Sequence, residues 1–108
     1  MPIYNKLVRD LIPQVIEKSG SKVTTRILDK SEYLTEFKNK LHEEVQEYTD
    51  TDNRQDALEE LADILEIIHA ALSIYEATFE ELDKIRVAKK EKRGGFEEGI
   101  YLIEVEDK

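Results

Sequence analysis

The sequence predicts one all-α domain over residues 1–108, a four-helix bundle with short extended segments at its ends. Three observations support this fold class. Apolar residues recur at helical spacing along most of the chain. Side chains that cap helix N-termini precede three of the four expected helices. No internal repeat, low-complexity tract or Gly/Pro linker divides the chain, whose length suits a single domain.

The first predicted helix is short. It spans Asp10–Ser19, with Asp10 as N-cap, Pro13 in the first turn and Gly20 as the C-terminal stop. The β-branched residues of Lys22–Leu28 then favour a short extended piece. The longer elements of the chain follow this opening part.

Two long helices are expected in the middle of the chain. Asp29 and Glu32 form an Asp-x-x-Glu variant of the capping box, which opens a helix that runs to about Tyr48. The polar run Thr49–Asn53 predicts a turn. A second long helix then extends over Arg54–Glu76, so the two are expected to form a helical hairpin.

The last helix begins at a second capping box. Thr78 and Glu81 form this box, and the helix ends near Arg93, where a Gly-Gly pair interrupts it. The apolar, β-branched run Gly99–Val105 predicts a short closing strand. The extended pieces are minor, and the chain is mainly helical.

Composition limits the classes of protein to which this chain can belong. Charged residues make up 38% and apolar residues 40%, so the core is thin and burial in a homodimer or higher homo-oligomer is expected. The absence of cysteine excludes thiol catalysis and fits a reducing cytoplasm. The chain contains neither a membrane-length apolar run nor the apolar core of a signal peptide.

The negative charge of the chain is concentrated in one stretch. The net charge is −9, which argues against nucleic acid as a partner. Residues 29–66 contain 13 acids and 4 bases, and acids and bases balance in the rest of the chain. The stretch coincides with the expected hairpin, so the acidic residues are candidates for a cation site or for a solvated helix surface.

Two pairs of acids face each other across the expected hairpin. Glu44 and Glu47 are three residues apart and share a helix face, and the same holds for Glu60 and Asp63. Counted from the centre of the turn, Glu44 lies opposite Asp63. Glu47 lies opposite Glu60 in the same register. Four converging carboxylates repel one another, and their oxygen atoms suit Mg²⁺ or Mn²⁺.

Helical phase distinguishes these acids from each other. Glu44 borders the apolar stripe of its helix, whereas Glu43 points well away from it. Asp63 lies far from the main apolar stripe of the second helix, but its face continues as Ile67 and Ala70. Another subunit or the chain ends are therefore expected to cover that face. The alternative is an exposed acidic hairpin that binds no metal.

The motifs resemble those of a known family. Glu43-Glu44-x-x-Glu47 followed by Glu60-x-x-Asp63 is similar to the paired motif of the MazG-like all-α NTP pyrophosphohydrolase superfamily. The segments YNKLVRDLIP and KRGGFEEGI resemble a small, single-domain branch described as phosphoribosyl-ATP pyrophosphohydrolase-like house-cleaning proteins. The resemblance covers nearly the whole chain.

The resemblance implies a reaction and a set of metal ligands. The reaction is Mg²⁺-dependent hydrolysis of a nucleoside triphosphate between its α- and β-phosphates, which releases a nucleoside monophosphate and pyrophosphate. Family members are typically dimers or higher oligomers. The implied metal ligands are Glu44, Glu47, Glu60 and Asp63. A free carboxylate beside the attacking water serves as the base, for which Glu47 and Glu43 are the candidates.

A triphosphate substrate also requires positive charge from the protein. Lys6 and Arg9 form a basic pair near the N-terminus, and Lys89 and Arg93 share one face of the last helix. These four side chains are the candidate phosphate-binding residues.

Two further functions remain compatible with the sequence. One is the phosphoribosyl-ATP pyrophosphohydrolase step of histidine biosynthesis. The other is a non-catalytic acidic helical module that binds a protein partner or mimics nucleic acid. The second alternative predicts that neutral substitutions of the hairpin acids leave function intact, whereas a metal site predicts that they abolish turnover.

Overall fold

A computed structural model of the protein describes residues 3–107, which are helical or irregular and contain no strand. The all-α prediction is therefore confirmed. The chain divides after Glu76 into two compact units, the second of which begins at Ala77. The helices are, in order, α1 (Ile12–Lys18), α2 (Lys30–Thr49), α3 (Arg54–Leu72) and α4 (Phe79–Arg93), with a 3₁₀ turn at Ser73–Tyr75.

Helix α1 begins later than predicted, and Asp10 is not its cap. The N-cap position belongs to Leu11, whose side chain makes no capping hydrogen bond. The backbone N–H of Ile12 donates to the carbonyl of Arg9 (3.0 Å), so a tight turn occupies the residues that were assigned to the first helical turn. Pro13 lies in the first turn as expected, and Gly20 follows the helix at φ +97°. Residues 21–29 have no regular secondary structure, so the extended segment expected at Lys22–Leu28 does not form a β-strand.

Helices α2 and α3 form the hairpin that the sequence predicts. The Asp29 carboxylate accepts a hydrogen bond from the N–H of Glu32 (2.8 Å) and caps α2. Asn53 caps α3 in the same way by accepting from the N–H of Asp56 (2.9 Å). A four-residue connection, 50–53, joins the helices, which pack against each other.

Helix α3 ends one turn earlier than predicted. It stops at Leu72, continues as the 3₁₀ turn, and reaches Glu76 in the left-handed conformation at φ +53°. A left-handed residue cannot continue a right-handed helix, so Glu76 redirects the chain toward the next cap. The second unit begins directly after this residue.

The second unit consists of α4 and an irregular C-terminal segment. The hydroxyl of Thr78 accepts from the N–H of Glu81 (3.1 Å), and Gly94 ends the helix at φ +83°, both as predicted. The predicted strand at Gly99–Val105 is wrong, because these residues are irregular and their large side chains are exposed. A strand needs a partner for its backbone hydrogen bonds, and residues 3–107 contain no other strand.

The core of the described chain is as thin as its composition suggests. Within residues 3–107, Phe37 is the one buried apolar side chain, at 6% exposure, and its ring contacts that of Tyr33 at a centroid distance of 4.3 Å. Other large apolar side chains of the hairpin remain accessible. A leucine stripe at helical spacing on the exposed side of α3 consists of Leu58, Leu61 and Leu65.

Candidate metal centre

Five carboxylates meet on the hairpin of α2 and α3. One oxygen from each of Glu44, Glu60 and Asp63 lies within 4.8 Å of the others. Glu43, Glu44 and Glu47 form a second such group on α2. Glu44 belongs to both groups and joins them, so the five residues form a single acidic cluster.

The hairpin places the most buried acid at the centre of this cluster. Glu44 is 7% exposed and is the one buried polar residue in the described part of the chain. Two turns before it, Phe37 lies on the core side of α2, which explains why Glu44 turns toward α3. The register predicted from the turn therefore does bring Glu44 beside Asp63.

Three cationic side chains contact the acidic cluster. Lys6 Nζ lies 3.3 Å from Glu43 Oε1, and Arg9 Nη2 lies 2.5 Å from Asp63 Oδ1. Lys40 Nζ lies 3.5 Å from Glu43 Oε1 and 3.4 Å from Glu44 Oε1. Five carboxylates thus face three cations, which leaves an excess of two negative charges when all five are ionised.

These contacts change the expectation for the basic residues. Lys6 and Arg9 are expected from the sequence to bind phosphate, yet here both pair with acids of the cluster. Sequence reasoning missed Lys40, although it precedes Glu43 and Glu44 by three and four residues. That spacing is the signal that could have identified it, because residues so spaced are neighbours on a helix.

Two buried oxygen atoms in the cluster have no hydrogen-bond partner. They are Oε2 of Glu44 and Oε2 of Glu60. A buried acceptor without a partner is unfavourable unless a ligand or an ion satisfies it. Oxygen ligands on opposite sides of an octahedral Mg²⁺ are about 4.2 Å apart, and the candidate oxygens of each group lie within 4.8 Å of one another. The donor set therefore fits a hard divalent cation.

The mutual proximity of the carboxylates raises two pKa values. Glu44 lies close enough to Glu60 to share a proton with it, and this contact, followed by desolvation, raises the pKa of Glu60 to about 7. The pKa of Glu47 is also raised, first by desolvation and then by its contact with Glu44. Desolvation and neighbouring carboxylates therefore both disfavour the ionised forms of Glu47 and Glu60.

A cavity of about 400 Å³ opens beside the acidic cluster within the first unit. Glu44 and Asp63 lie at its wall together with the cationic side chains of Arg9 and Lys40. The remaining wall is mostly apolar. Its side chains include Tyr33, Phe37, Ile67, Ala70 and Val15. The cavity thus combines charged groups with aromatic and aliphatic surface, as small-molecule sites do.

The same cavity explains what covers the Asp63 face of α3. The sequence left another subunit or the chain ends as alternatives for this face. The cavity is lined on one side by Ile67 and Ala70 of this face and on the other by Leu7, Val8 and Leu11. The N-terminal part of the same chain therefore covers the Asp63 face. The N-terminal segment, defined here as residues 3–11, therefore borders both the cavity and the acidic cluster.

The other two candidate phosphate-binding residues lie in the second unit. Lys89 and Arg93 are on α4, four residues apart, and Arg93 is in the last helical turn. A cation in that position interacts favourably with the helix dipole. Their role toward phosphate stays a prediction.

Comparisons with protein-family models, with curated proteins and with solved structures found no match to this chain. None of the helices in residues 3–107 has the length and apolar character needed to cross a membrane. The arguments for function therefore depend on the acidic cluster, on the cavity beside it and on the sequence motifs.

Proposed function

We propose that this protein is a Mg²⁺-dependent nucleoside triphosphate pyrophosphohydrolase that produces a nucleoside monophosphate and pyrophosphate. The observation that carries the proposal is the buried Glu44, whose free oxygen lies within a cluster that has more carboxylates than cations. An exposed acidic module has no reason to bury a carboxylate in this way. The choice of reaction follows the resemblance of the acidic motifs to the MazG-like superfamily, to which we propose that the chain belongs.

The proposed metal ligands come from both helices of the hairpin. Magnesium bound there supplies positive charge to the phosphate oxygens and acidifies a water molecule; Mn²⁺ is the expected substitute. The unpartnered oxygens of Glu44 and Glu60 are the first candidates for coordination. The full proposed set is Glu44, Glu47, Glu60 and Asp63.

Glu47 is the stronger of the two candidates for the general base. Its pKa is raised, which makes the carboxylate a better proton acceptor near neutral pH. Glu43 instead lies between Lys6 and Lys40, and both ammonium groups contact its Oε1, which leaves that oxygen less accessible to a water molecule. Glu47 would take the proton of the attacking water as the water oxygen bonds to phosphorus. The anhydride bond between the α- and β-phosphates breaks in the same step, and the bridging oxygen leaves with the departing phosphate product.

The cavity suits the nucleoside part of such a substrate. Arg9 and Lys40 lie at its charged side, where they would contact phosphate oxygens. Tyr33 and Phe37 line the apolar side, where an aromatic base would be shielded from water. Lys6, which contacts Glu43 of the cluster, is also among the proposed phosphate-binding residues. We propose removal of non-canonical nucleotides as the physiological role.

We also propose that the protein forms a homodimer or higher homo-oligomer. The leucine stripe of α3 is the main support, because Leu58, Leu61 and Leu65 each keep nearly half of their surface exposed. A regular apolar stripe on a long helix is typical of an interface rather than of a solvated surface. Replacing Leu61 with Glu is expected to lower the mass measured by light scattering.

The proposed reaction is tested by pyrophosphate release. Canonical and modified nucleoside triphosphates and phosphoribosyl-ATP are compared with and without Mg²⁺, for the wild type and for Glu44→Gln. Glu59→Gln, an exposed acid on α3 outside the cluster, is the matched control. Metal-dependent release that only Glu44→Gln abolishes supports the proposal. Equal release by both variants, or no release from any substrate, contradicts it.

A further inference from the structure

The N-terminal segment neutralises the acidic cluster from a distant part of the sequence. Lys6 and Arg9 reach Glu43 and Asp63 across 37 and 54 residues of chain, respectively. Residues 3–9 have no regular secondary structure, so these two ion pairs are side-chain contacts made by an irregular stretch of backbone. The contacted acids belong to the cluster proposed to hold the metal.

We propose that Lys6 and Arg9 are displaceable counter-ions that compete with the metal. In the metal-free chain they neutralise Glu43 and Asp63. When a divalent cation binds the cluster, they are released and become available to the phosphates of the substrate. This inference rests on the proposed function, because it takes the acidic cluster to be a metal site and a polyphosphate to be the ligand beside it.

Charge balance is the first argument for displacement. With all five carboxylates ionised, the cluster has two negative charges more than its three cations supply, which is the charge of one divalent ion. Metal binding therefore removes the excess that attracts Lys6 and Arg9. Asp63 Oδ1 also accepts from the guanidinium of Arg9, so that oxygen is not fully available to a metal while the ion pair persists.

The N-terminal cations Lys6 and Arg9 are also held more weakly than Lys40. The side chain of Lys40 is 17% exposed and projects from the middle of α2, where it contacts two carboxylates. The side chains of Lys6 and Arg9 are 42% and 59% exposed, and each contacts one carboxylate. Exposed single ion pairs contribute little free energy, so the segment can release them at small cost.

Once released from its carboxylate, Arg9 can bind the phosphates of the substrate. A guanidinium binds carboxylate and phosphate with the same forked geometry, so Arg9 can exchange one for the other. Arg9 also lines the cavity that extends from the cluster. The same side chain can therefore serve the metal-free chain and the substrate complex without a large movement of the fold.

Binding linkage makes the inference quantitative. If Lys6 and Arg9 weaken metal binding, the metal must weaken their contacts by the same factor. Removing both cations is therefore expected to tighten Mg²⁺ binding and to weaken the binding of a polyphosphate. Tighter Mg²⁺ binding together with weaker polyphosphate binding distinguishes displaceable counter-ions from a general loss of structure, which would weaken the binding of both ligands.

The first experiment measures Mg²⁺ binding alone by calorimetry on the full chain. The Lys6→Gln/Arg9→Gln double variant is compared with wild type and with Arg26→Gln, which breaks an exposed ion pair with Glu32. The double variant is expected to bind Mg²⁺ about tenfold more tightly, and the control to match wild type. Equal or weaker binding overturns the inference and leaves the metal site standing. No Mg²⁺ binding by any of the three proteins overturns both.

The second experiment tests whether Mg²⁺ releases Lys6 and Arg9 from the acidic cluster and whether the two cations then bind phosphate. Trypsin cleavage of the wild type after Arg9, normalised to cleavage after Lys22, is expected to accelerate when Mg²⁺ is added; an unchanged ratio contradicts release. With Mg²⁺ in excess, inorganic tripolyphosphate is expected to bind the double variant about tenfold more weakly than wild type. Unchanged tripolyphosphate affinity overturns the transfer to phosphate.

Discussion

Two groups of charged side chains on the first unit show opposite balances of charge. Arg26 and Glu32 form a one-to-one pair in which both guanidinium terminal nitrogens donate to the carboxylate, at 2.7 and 3.2 Å. The hydrogen bond from Arg26 lowers the pKa of Glu32, and the same contact raises the pKa of Arg26. Each partner stabilises the ionised form of the other.

The acidic cluster behaves in the opposite way. Its carboxylates outnumber the cations that contact them, and the pKa values of Glu47 and Glu60 are raised. Here the ionised form is the unfavourable one, first because of desolvation for Glu47 and first because of the contact with Glu44 for Glu60. The difference between the two groups is what the proposed metal site predicts: the carboxylates destabilise one another in the metal-free chain, and a divalent cation would complete the arrangement.

The largest effect is expected from the acid at the centre of the cluster. Glu44→Gln removes one negative charge and one candidate ligand, so Mg²⁺ affinity and turnover should each fall at least about a hundredfold. Calorimetry and pyrophosphate release measure the two quantities. Glu59→Gln has the same charge change outside the cluster and should leave both within about twofold. Similar losses in the two variants would mean that general charge, rather than the cluster, matters.

The acidic cluster and the Arg26–Glu32 pair should change the stability of the fold in opposite directions as the pH rises. The pKa of Glu60 is about 7 in the folded chain against an ordinary value of 4.5, so the folded state binds this proton more strongly. Its contribution to stability is therefore present below pH 4.5 and is lost as the pH rises to 7. We expect the melting temperature in EDTA to fall over this range.

Glu60→Gln and added Mg²⁺ test that assignment. The amide cannot ionise, so the variant should lose less stability than wild type as the pH rises, while Glu59→Gln should follow wild type. Saturating Mg²⁺ should flatten the wild-type curve, because the metal replaces the shared proton. A Glu60→Gln curve parallel to that of wild type would place the titration elsewhere.

A smaller effect is expected from the cap that begins the second helix of the hairpin. Asn53→Ala removes the acceptor for the N–H of Asp56 and should cost about 1 kcal/mol of unfolding free energy by urea titration. Mg²⁺ affinity of the folded protein should stay unchanged, since Asn53 lies outside the cluster. Weaker Mg²⁺ binding would show that the cap also determines the register of the carboxylates. Asn39→Ala, within the exposed face of α2, is the comparison variant.

The smallest effect is expected from the ion pair between Arg26 and Glu32. Arg26→Gln should lower stability slightly at neutral pH, because exposed ion pairs contribute little. The pKa of Glu32 is lowered in the folded chain, so the pair's contribution is present above pH 4.5 and is lost as the pH falls below it. Melting temperatures of wild type and variant should therefore converge in acid. A difference that grows in acid would contradict the assignment.

The hairpin was predictable because its signals are local. Asp29 caps α2, and α2 and α3 span nearly the expected ranges. The short turn then determines which acids face each other, so the proximity of Glu44 and Asp63 followed from spacing alone. The contact of Lys40 with Glu44 obeys the same rule and could have been predicted.

Other features depended on contacts that spacing does not specify. Asp10 resembles a cap, but the turn before Ile12 displaces the helix start. The run Gly99–Val105 has strand-forming residues, yet a strand requires a partner that residues 3–107 do not provide. Local propensity therefore failed at the places where the state of a segment depends on what lies beside it.

By itself, the sequence determined the helical class, the hairpin and the concentration of acids on it, because period, caps and turn length act over a few residues. The tertiary structure alone decided that Glu44 is buried, that Lys6 and Arg9 pair with the cluster, and that the N-terminal segment borders the cavity. The physical reason is that burial and long-range ion pairs depend on how distant parts of the chain pack, which local spacing does not specify.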